Sequence, residues 1–305
     1  MDRQRIIIAG GSGFIGRAIA REVTARGSEV VILTRAPEKY RGPGRAVGWD
    51  GQNVGEWVRE IDGADAVINL AGKNVNCRYT PKILAEVDES RVNAVRVVGE
   101  AIGQCASPPR VLVQASTTAI YGDRHEELID ESSPIGFGVP TDTATKWESA
   151  FDASEELMPN TRRVLLRMSF VLGRGGVLQF LARLARFFMG GTVGAGRQYI
   201  SWIYIDDLVR IFVRAIEDDR MSGLYIASGP TPVTNRVFMR ELRRALHRPW
   251  VPPTPALMVR LGCFCMRTEP VLALTGRKVQ PRRLLEGGFE FQHREVARTL
   301  RDLLA

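Results

Sequence analysis

The stretch Ile6-Ile7-Ile8-Ala9-Gly10-Gly11-Ser12-Gly13-Phe14-Ile15-Gly16 decides the fold. A continuous apolar run ending in two glycines reads as a strand buried on both faces, as at the centre of a parallel sheet. Phe14 to Arg26 then places Ile15, Ala18, Ile19 and Val23 on one face of a helix that Gly27 ends. A glycine turn between such a strand and helix is the context in which it reads as a dinucleotide site. Gly10, Gly13 and Gly16 stand three apart rather than in the G-x-G-x-x-G spacing. The demands are the same: unusual backbone angles, close approach to a pyrophosphate, and a helix packed near the strand. Gly10, Gly11, Ser12, Gly13, Phe14, Ile15 and Gly16 are the expected phosphate-binding segment, with the freed amides of the helix N-terminus facing the phosphates. A plain tight turn is the alternative.

Outward from this turn, strands are expected at Glu29 to Leu33, Asp65 to Leu70, Arg110 to Gln114 and Val164 to Met168. Helices fall between them at Lys82 to Cys105 and Asp142 to Leu157. Such alternation makes an α/β protein with a doubly wound parallel Rossmann sheet. Further helices are expected at Leu178 to Met189, Asp206 to Glu217 and His293 to Leu304. From Pro230 the prolines thicken, so residues 1–229 read as the cofactor domain with inserted pieces of a second lobe. Residues 230–305 read as a smaller C-terminal substrate lobe closed by a docking helix.

The second strand ends Ile32-Leu33-Thr34-Arg35. An NAD site places an acid here for the ribose 2′-hydroxyl, and a guanidinium here suits a 2′-phosphate instead. Thr34 and Arg35 therefore favour NADP(H) over NAD. Arg17 either assists or lies on a solvated helix face. Leu70, Ala71 and Gly72 end the third strand with room for the adenine side of the cofactor. Lys73 and Arg78 follow in a loop that would cover the site, and Arg78 could clamp an anionic substrate.

The 305 residues carry a net charge of +8, from 42 basic and 34 acidic side chains. The arginines are scattered rather than massed in a stripe, which disfavours a nucleic-acid partner. Cys77, Cys105, Cys263 and Cys265 lack zinc-site spacing, and no metal is expected. The apolar run after the opening Met1-Asp2-Arg3 is too short for a signal core or a membrane span. The chain is expected to be cytoplasmic and reduced, with a small-molecule substrate and no membrane partner; a homodimer is left open.

Four further segments resemble the extended short-chain dehydrogenase/reductases. These are Ala115-Ser116-Thr117-Thr118-Ala119-Ile120-Tyr121-Gly122, Arg167-Met168-Ser169-Phe170-Val171-Leu172-Gly173, Ser201-Trp202-Ile203-Tyr204-Ile205-Asp206-Asp207 and Pro232-Val233-Thr234-Asn235. Arg78-Tyr79-Thr80, Trp147-Glu148 and the Gly-Gly-Phe-Glu-Phe around Phe289 narrow the resemblance to the atypical subgroup of epimerase family proteins. The resemblance implies that Ala115, Ser116, Arg167 and Ser169 lie beside the cofactor and that Thr117 orients a substrate oxygen. Ser116 could do the same, and either hydroxyl could instead be satisfied by backbone. Family chemistry normally adds a Tyr and a Lys four residues later. None of the six tyrosines has such a lysine; the matching positions fall on Pro140 and Ala144, with Lys146 out of register. Tyr121 is left as the candidate acid or base, with a packing role as its alternative. Trp202 either covers the pocket or belongs to the core. One of Asp206 and Asp207 is explained by helix N-capping. Two functions compete: an NADP-dependent oxidoreductase or epimerase-like enzyme, and a catalytically impaired NADP(H)-binding sensor or scaffold.

Overall fold

The structure is a computed structural model that describes residues 4–305; the opening Met1-Asp2-Arg3 lies outside the described residues. Seven strands form the central sheet: β1 (Arg5–Ala9), β2 (Glu29–Thr34), β3 (Arg45–Gly48), β4 (Ala66–Asn69), β5 (Val111–Thr117), β6 (Arg162–Met168) and β7 (Gly223–Ala227). Their order is β7-β6-β5-β4-β1-β2-β3, and every neighbouring pair is parallel. This is the expected doubly wound Rossmann sheet, with its switch point between β1 and β4.

Both faces of the sheet are covered, which is why the central strands carry near-continuous apolar runs. On one face lie helix α1 (Phe14–Ala25) and, after α2 (Pro81–Gly103), α3 (Val139–Ala153) and α4 (Gly176–Arg186), helix α5 (Ile205–Glu217). Ile19 and Val23 of α1 and Leu208 and Phe212 of α5 pack there against Ile6, Ile8, Val113 and Val164. Helices α2 and α3 cover the other face, where Val95, Val98, Trp147 and Phe151 meet Ile7, Val67 and Leu112. The alternate residues of β1, Ile6 and Ile8 against Ile7 and Ala9, thus serve two separate cores.

A third cluster builds the smaller lobe. Leu178, Ala182 and Ala185 of α4 join Phe238, Met239 and Leu242 of α6 (Asn235–Ala245) and Leu300 and Leu303 of the last helix. Between those two lies α7 (Ala256–Cys265), and the last helix is α8 (Val296–Leu304). Leu300 is fully buried, as expected of a docked helix. Trp202 is also fully buried here and its indole donates to Thr231 O at 2.9 Å. This corrects its assignment to the substrate: a ring closed into the core has no face left for a ligand.

The Asp206-Asp207 pair is likewise corrected. Helix α5 starts at Ile205 with no side-chain cap. Asp207 is buried and accepts from the backbone amides of Gln292 and His293, both at 2.9 Å, and from Arg210 at 3.1 Å. The His293 ring stacks on Tyr204, with centroids 3.8 Å apart. Asp207 therefore ties the approach to α8 onto the Rossmann domain. Asp207→Ala strands two amides and is expected to cost about 2–3 kcal/mol of stability. Thermal melting, with faster hydrogen exchange at residues 292 and 293, checks this.

Candidate functional site

The glycine turn is built as its sequence requires. Gly10 adopts φ +70°, and a Cβ there would lie 2.8 Å from the Ala71 Cα. A Cβ on Gly16 would fall 2.5 Å from Gly11, so that glycine sets the approach of α1 to the turn. Gly13 differs: it is exposed, and a Cβ there would find nothing closer than 3.8 Å. Gly13 is also the N-cap of α1, with no side-chain cap and no acidic residue in the first turn. The first amides of the helix are thus left to an incoming acceptor, at the positive end of the helix dipole. Phe14 turns inward, and a Cβ on Gly173 or Gly175 would clash with its ring. Half-buried Ile15 packs against the core.

Beside this turn, Thr34 is buried and its hydroxyl donates to Ser12 Oγ at 3.3 Å. Arg35, the next residue, is exposed and makes no hydrogen bond or ion pair. Arg17 is partly engaged: its Nε donates to Ser12 O at 2.9 Å and its guanidinium lies 5.5 Å from the Tyr40 ring centre. After β4, Asn69 Oδ1 accepts from the Ala71 amide at 3.1 Å, and Asn69 Nδ2 donates to Gln114 at 2.9 Å. This fixes Leu70 and Ala71 next to the glycine turn. Gly72 and Lys73 rest on Arg91, whose guanidinium donates to Lys73 O at 3.0 Å and lies 5.1 Å from the Trp147 ring. Burial lowers the Arg91 pKa. Nothing in the chain marks Arg91, which sits mid-helix in α2 with ordinary neighbours. The Lys73 ammonium pairs with Glu86, and Arg78 stacks over Phe264 of α7 at 4.5 Å. Tyr79 donates its amide to Glu269 at 2.6 Å, and burial pushes its phenol up to about 12.

At the ends of β5 and β6, Ser116 and Arg167 are register partners, so their side chains stand together. Glu148 of α3 closes on both. It accepts from Arg167 Nε at 2.9 Å, from Arg167 Nη2 at 2.6 Å and from the Ser116 hydroxyl at 2.5 Å. Arg167 Nη1 also donates to Tyr121 OH at 2.8 Å. All four residues are buried. Burial raises the Tyr121 pKa against the lowering effect of Arg167. This network engages three candidate site residues: Tyr121 is fully buried with its phenol oxygen accepting from Arg167, the Arg167 guanidinium donates to Glu148 and Tyr121, and the Ser116 hydroxyl donates to Glu148. Ala115 is buried too, which leaves only its main chain near a ligand.

Thr117, half-buried at the end of β5, points opposite to Ser116, and its hydroxyl accepts from the Ala119 amide at 3.1 Å. One lone pair and the proton of that hydroxyl are left over. The Ser169 hydroxyl is buried without a partner. Ala144 is buried in α3, while Lys146 points away to Asp88 at 2.5 Å. Past Gly122, Asp123 accepts from the Gly276 amide at 3.3 Å, joining the β5 exit loop to the C-terminal lobe. Arg277 lies there with Nε buried and unpartnered, and burial lowers its pKa against the opposing effect of Asp123. Nearby, a cleft of about 460 Å³ is lined by Asp123, His125, Val193, Arg197, Gln198 and Leu274. His125 is 86% exposed in its side chain. Among the described residues, no cluster of three or more His, Cys, Asp or Glu side chains could hold a metal, and no helix is long and apolar enough to cross a membrane.

A seven-stranded parallel sheet with a glycine turn at its switch point defines a Rossmann protein of the dinucleotide-binding class. The NAD dependent epimerase/dehydratase family matches residues 6–225, and a domain of unknown function, DUF1731, matches residues 254–303. Epimerase family protein SDR39U1 of Bos taurus is 34% identical over 99% of this chain and 100% of its own length. A crystal structure of human epimerase family protein SDR39U1 with NADPH superposes with a TM-score of 0.87 at 31% identity, covering 99% of both chains. The nucleoside-diphosphate sugar epimerase of Corynebacterium glutamicum gives a TM-score of 0.79 at 27% identity, over 99% of this chain and 58% of the other. The chain belongs to the NAD-dependent epimerase/dehydratase family, in agreement with the resemblance read from its motifs.

Proposed function

We propose that the protein binds NADP(H) across the ends of β1, β2 and β4 and acts on a small carbonyl or sugar-nucleotide-like substrate. The observation that carries this reading is the exposed, uncapped Gly13 end of α1 beside the exposed and unpaired Arg35. Together they offer helix amides to a pyrophosphate and a guanidinium to a 2′-phosphate. The crystal structure of the human relative with NADPH supports the same cofactor. Gly10 to Gly16, Thr34, Arg35, Leu70, Ala71 and Gly72 would hold it, and Ser169 adds an unpartnered hydroxyl. A bound nicotinamide supplies hydride transfer. Of the chain's own groups, Thr117 keeps hydroxyl capacity for a substrate oxygen, Lys73 and Arg78 flank the entrance, and half-buried Arg277 offers a cation to an anionic group. We place the division of labour at residues 1–229 for the cofactor and 230–305 for the lobe that closes over the substrate, and we place the protein in the cytoplasm.

A second reading, an NADP(H)-binding sensor or scaffold without turnover, is favoured by one observation. The positions where the family pattern has Tyr and Lys carry Pro140 and buried Ala144, and Lys146 is turned to Asp88. Calorimetric titration with NADPH and NADH, followed by turnover assays on carbonyls and sugar nucleotides, separates the two. Selective NADPH binding with saturable turnover supports the enzyme. Thr117→Ala should then lower turnover about 10²-fold at unchanged NADPH affinity. Tight NADPH binding without turnover of either substrate class leaves the second reading, and no binding of either nucleotide overturns both.

A further inference from the structure

Two helices of the smaller lobe end side by side in the same unusual way. At the end of α4, Phe188 takes φ +62°, with Met189 N donating to Leu184 O at 2.9 Å and Phe188 N to Ala185 O at 3.1 Å. At the end of α6, His247 takes φ +53°, with Arg248 N donating to Arg243 O at 2.8 Å and His247 N to Arg244 O at 3.1 Å. Glycine is the ordinary residue at this left-handed position, because a Cβ is strained there. The two ends touch: Arg243 donates to Gly190 O at 2.6 Å, and the Arg248 guanidinium lies 5.3 Å from the Phe188 ring centre.

What these ends display is apolar. Phe187 is 69% exposed, Phe188 56%, Met189 58% and Trp250 73%. Around them the charge is mostly positive. Residues 176–191 and 235–255 contain seven arginines, of which Arg243 is buried, and one acid, Glu241. Glu241 is already paired with Arg240 at 2.7 Å and Arg244 at 3.1 Å. Arg183 and Arg186 are exposed and unpaired, and Arg248 Nε has no partner.

We propose that this patch seats the protein on the surface of an anionic lipid bilayer. Exposed aromatic and sulfur-containing side chains suit the headgroup region, and the neighbouring exposed arginines suit anionic lipid. A second copy of the chain is a poorer occupant, because a two-fold contact through the patch would set arginines against arginines. The expectation of no membrane partner rested on the lack of a spanning segment, and surface seating needs none. The proposal is independent of what the cofactor cleft does.

The test is co-sedimentation of the full chain with vesicles of phosphatidylcholine alone and of phosphatidylcholine mixed with phosphatidylglycerol. Binding should be at least roughly tenfold stronger on the anionic vesicles and should weaken with added salt. Phe188→Gly removes the ring and relieves the left-handed strain. It should bind vesicles several-fold less while melting at or above the wild-type temperature. Arg183→Gln with Arg186→Gln should lose the preference for anionic lipid. Circular dichroism and thermal melting of each variant report that the rest of the fold is intact. Equal binding to both vesicle types, absent binding, or unchanged binding by Phe188→Gly overturns the proposal. So does a wild-type dimer that Phe188→Gly splits without any vesicle binding, which would make the patch a contact between copies. Binding of a single-stranded oligonucleotide in preference to anionic vesicles would also overturn it.

Discussion

Arg35→Asp is expected to weaken NADPH binding on the order of a hundredfold and to leave NADH binding equal or better. The wild-type guanidinium stands exposed at the end of β2 with no partner, so the folded protein loses no internal contact when it is replaced. What is lost is a pair of charge-assisted hydrogen bonds to the 2′-phosphate, each worth about 1.5–3 kcal/mol, and what is added is repulsion by a carboxylate. Roughly 1.4 kcal/mol changes a binding constant tenfold, so the lower end of this sum, about 3 kcal/mol, already reaches the stated effect. For NADH the same aspartate gains a ribose 2′-hydroxyl to accept from. Parallel calorimetric titrations with the two nucleotides read both arms, and the melting temperature without nucleotide should not move. If NADPH affinity is unchanged, the 2′-phosphate is not read at the end of β2. Arg17 would be the next candidate, although its Nε is committed to Ser12 O.

The cofactor end was legible because its demands are local. A glycine that must take φ +70° against Ala71, or that must let α1 approach at 2.5 Å, announces itself in the sequence as a glycine between a strand and a helix. Five of the seven sheet strands show as apolar runs for the same reason, being buried on both faces. Two strands escaped notice. Arg45–Gly48 lies at the sheet edge with no fully buried residue, and Gly223–Ala227 is a short run that opens on an exposed glycine. The far end of the site was less legible, because its arrangement lies in tertiary contact. Tyr121, Arg167 and Ser116 look like site residues in the chain, and only the packing of α3 over β5 and β6 brings Glu148 down to engage them. Trp202 failed in the same way, since nothing in its neighbours says that Thr231 will accept its indole proton. Arg91 and Arg277 were invisible because an arginine among 37 carries no signal until its burial is known.

Glu148→Ala is expected to destabilise the protein by about 3–5 kcal/mol, the cost of leaving a buried charge without its partner. Arg167 would keep only Tyr121 OH, while its Nε and Nη2, now bonded to Glu148 at 2.9 and 2.6 Å, would face a cavity. The Ser116 hydroxyl would be orphaned as well. Replacing both charges together is a different experiment. Glu148→Leu with Arg167→Leu removes the desolvation cost along with the attraction, and apolar replacements of buried pairs are often neutral or stabilising. The double variant should therefore recover most of the stability that Glu148→Ala loses, measured by denaturant unfolding. That recovery would identify the pair as a structural strut under the ends of β5 and β6. The functional consequence separates strut from site: with the fold restored, NADPH affinity should return to within about threefold of wild type, well under the tenfold that 1.4 kcal/mol would produce. A double variant that folds as well as the wild type but binds NADPH a hundredfold more weakly would show instead that Arg167 meets the cofactor directly, and would reinstate the role its place in the sequence suggests.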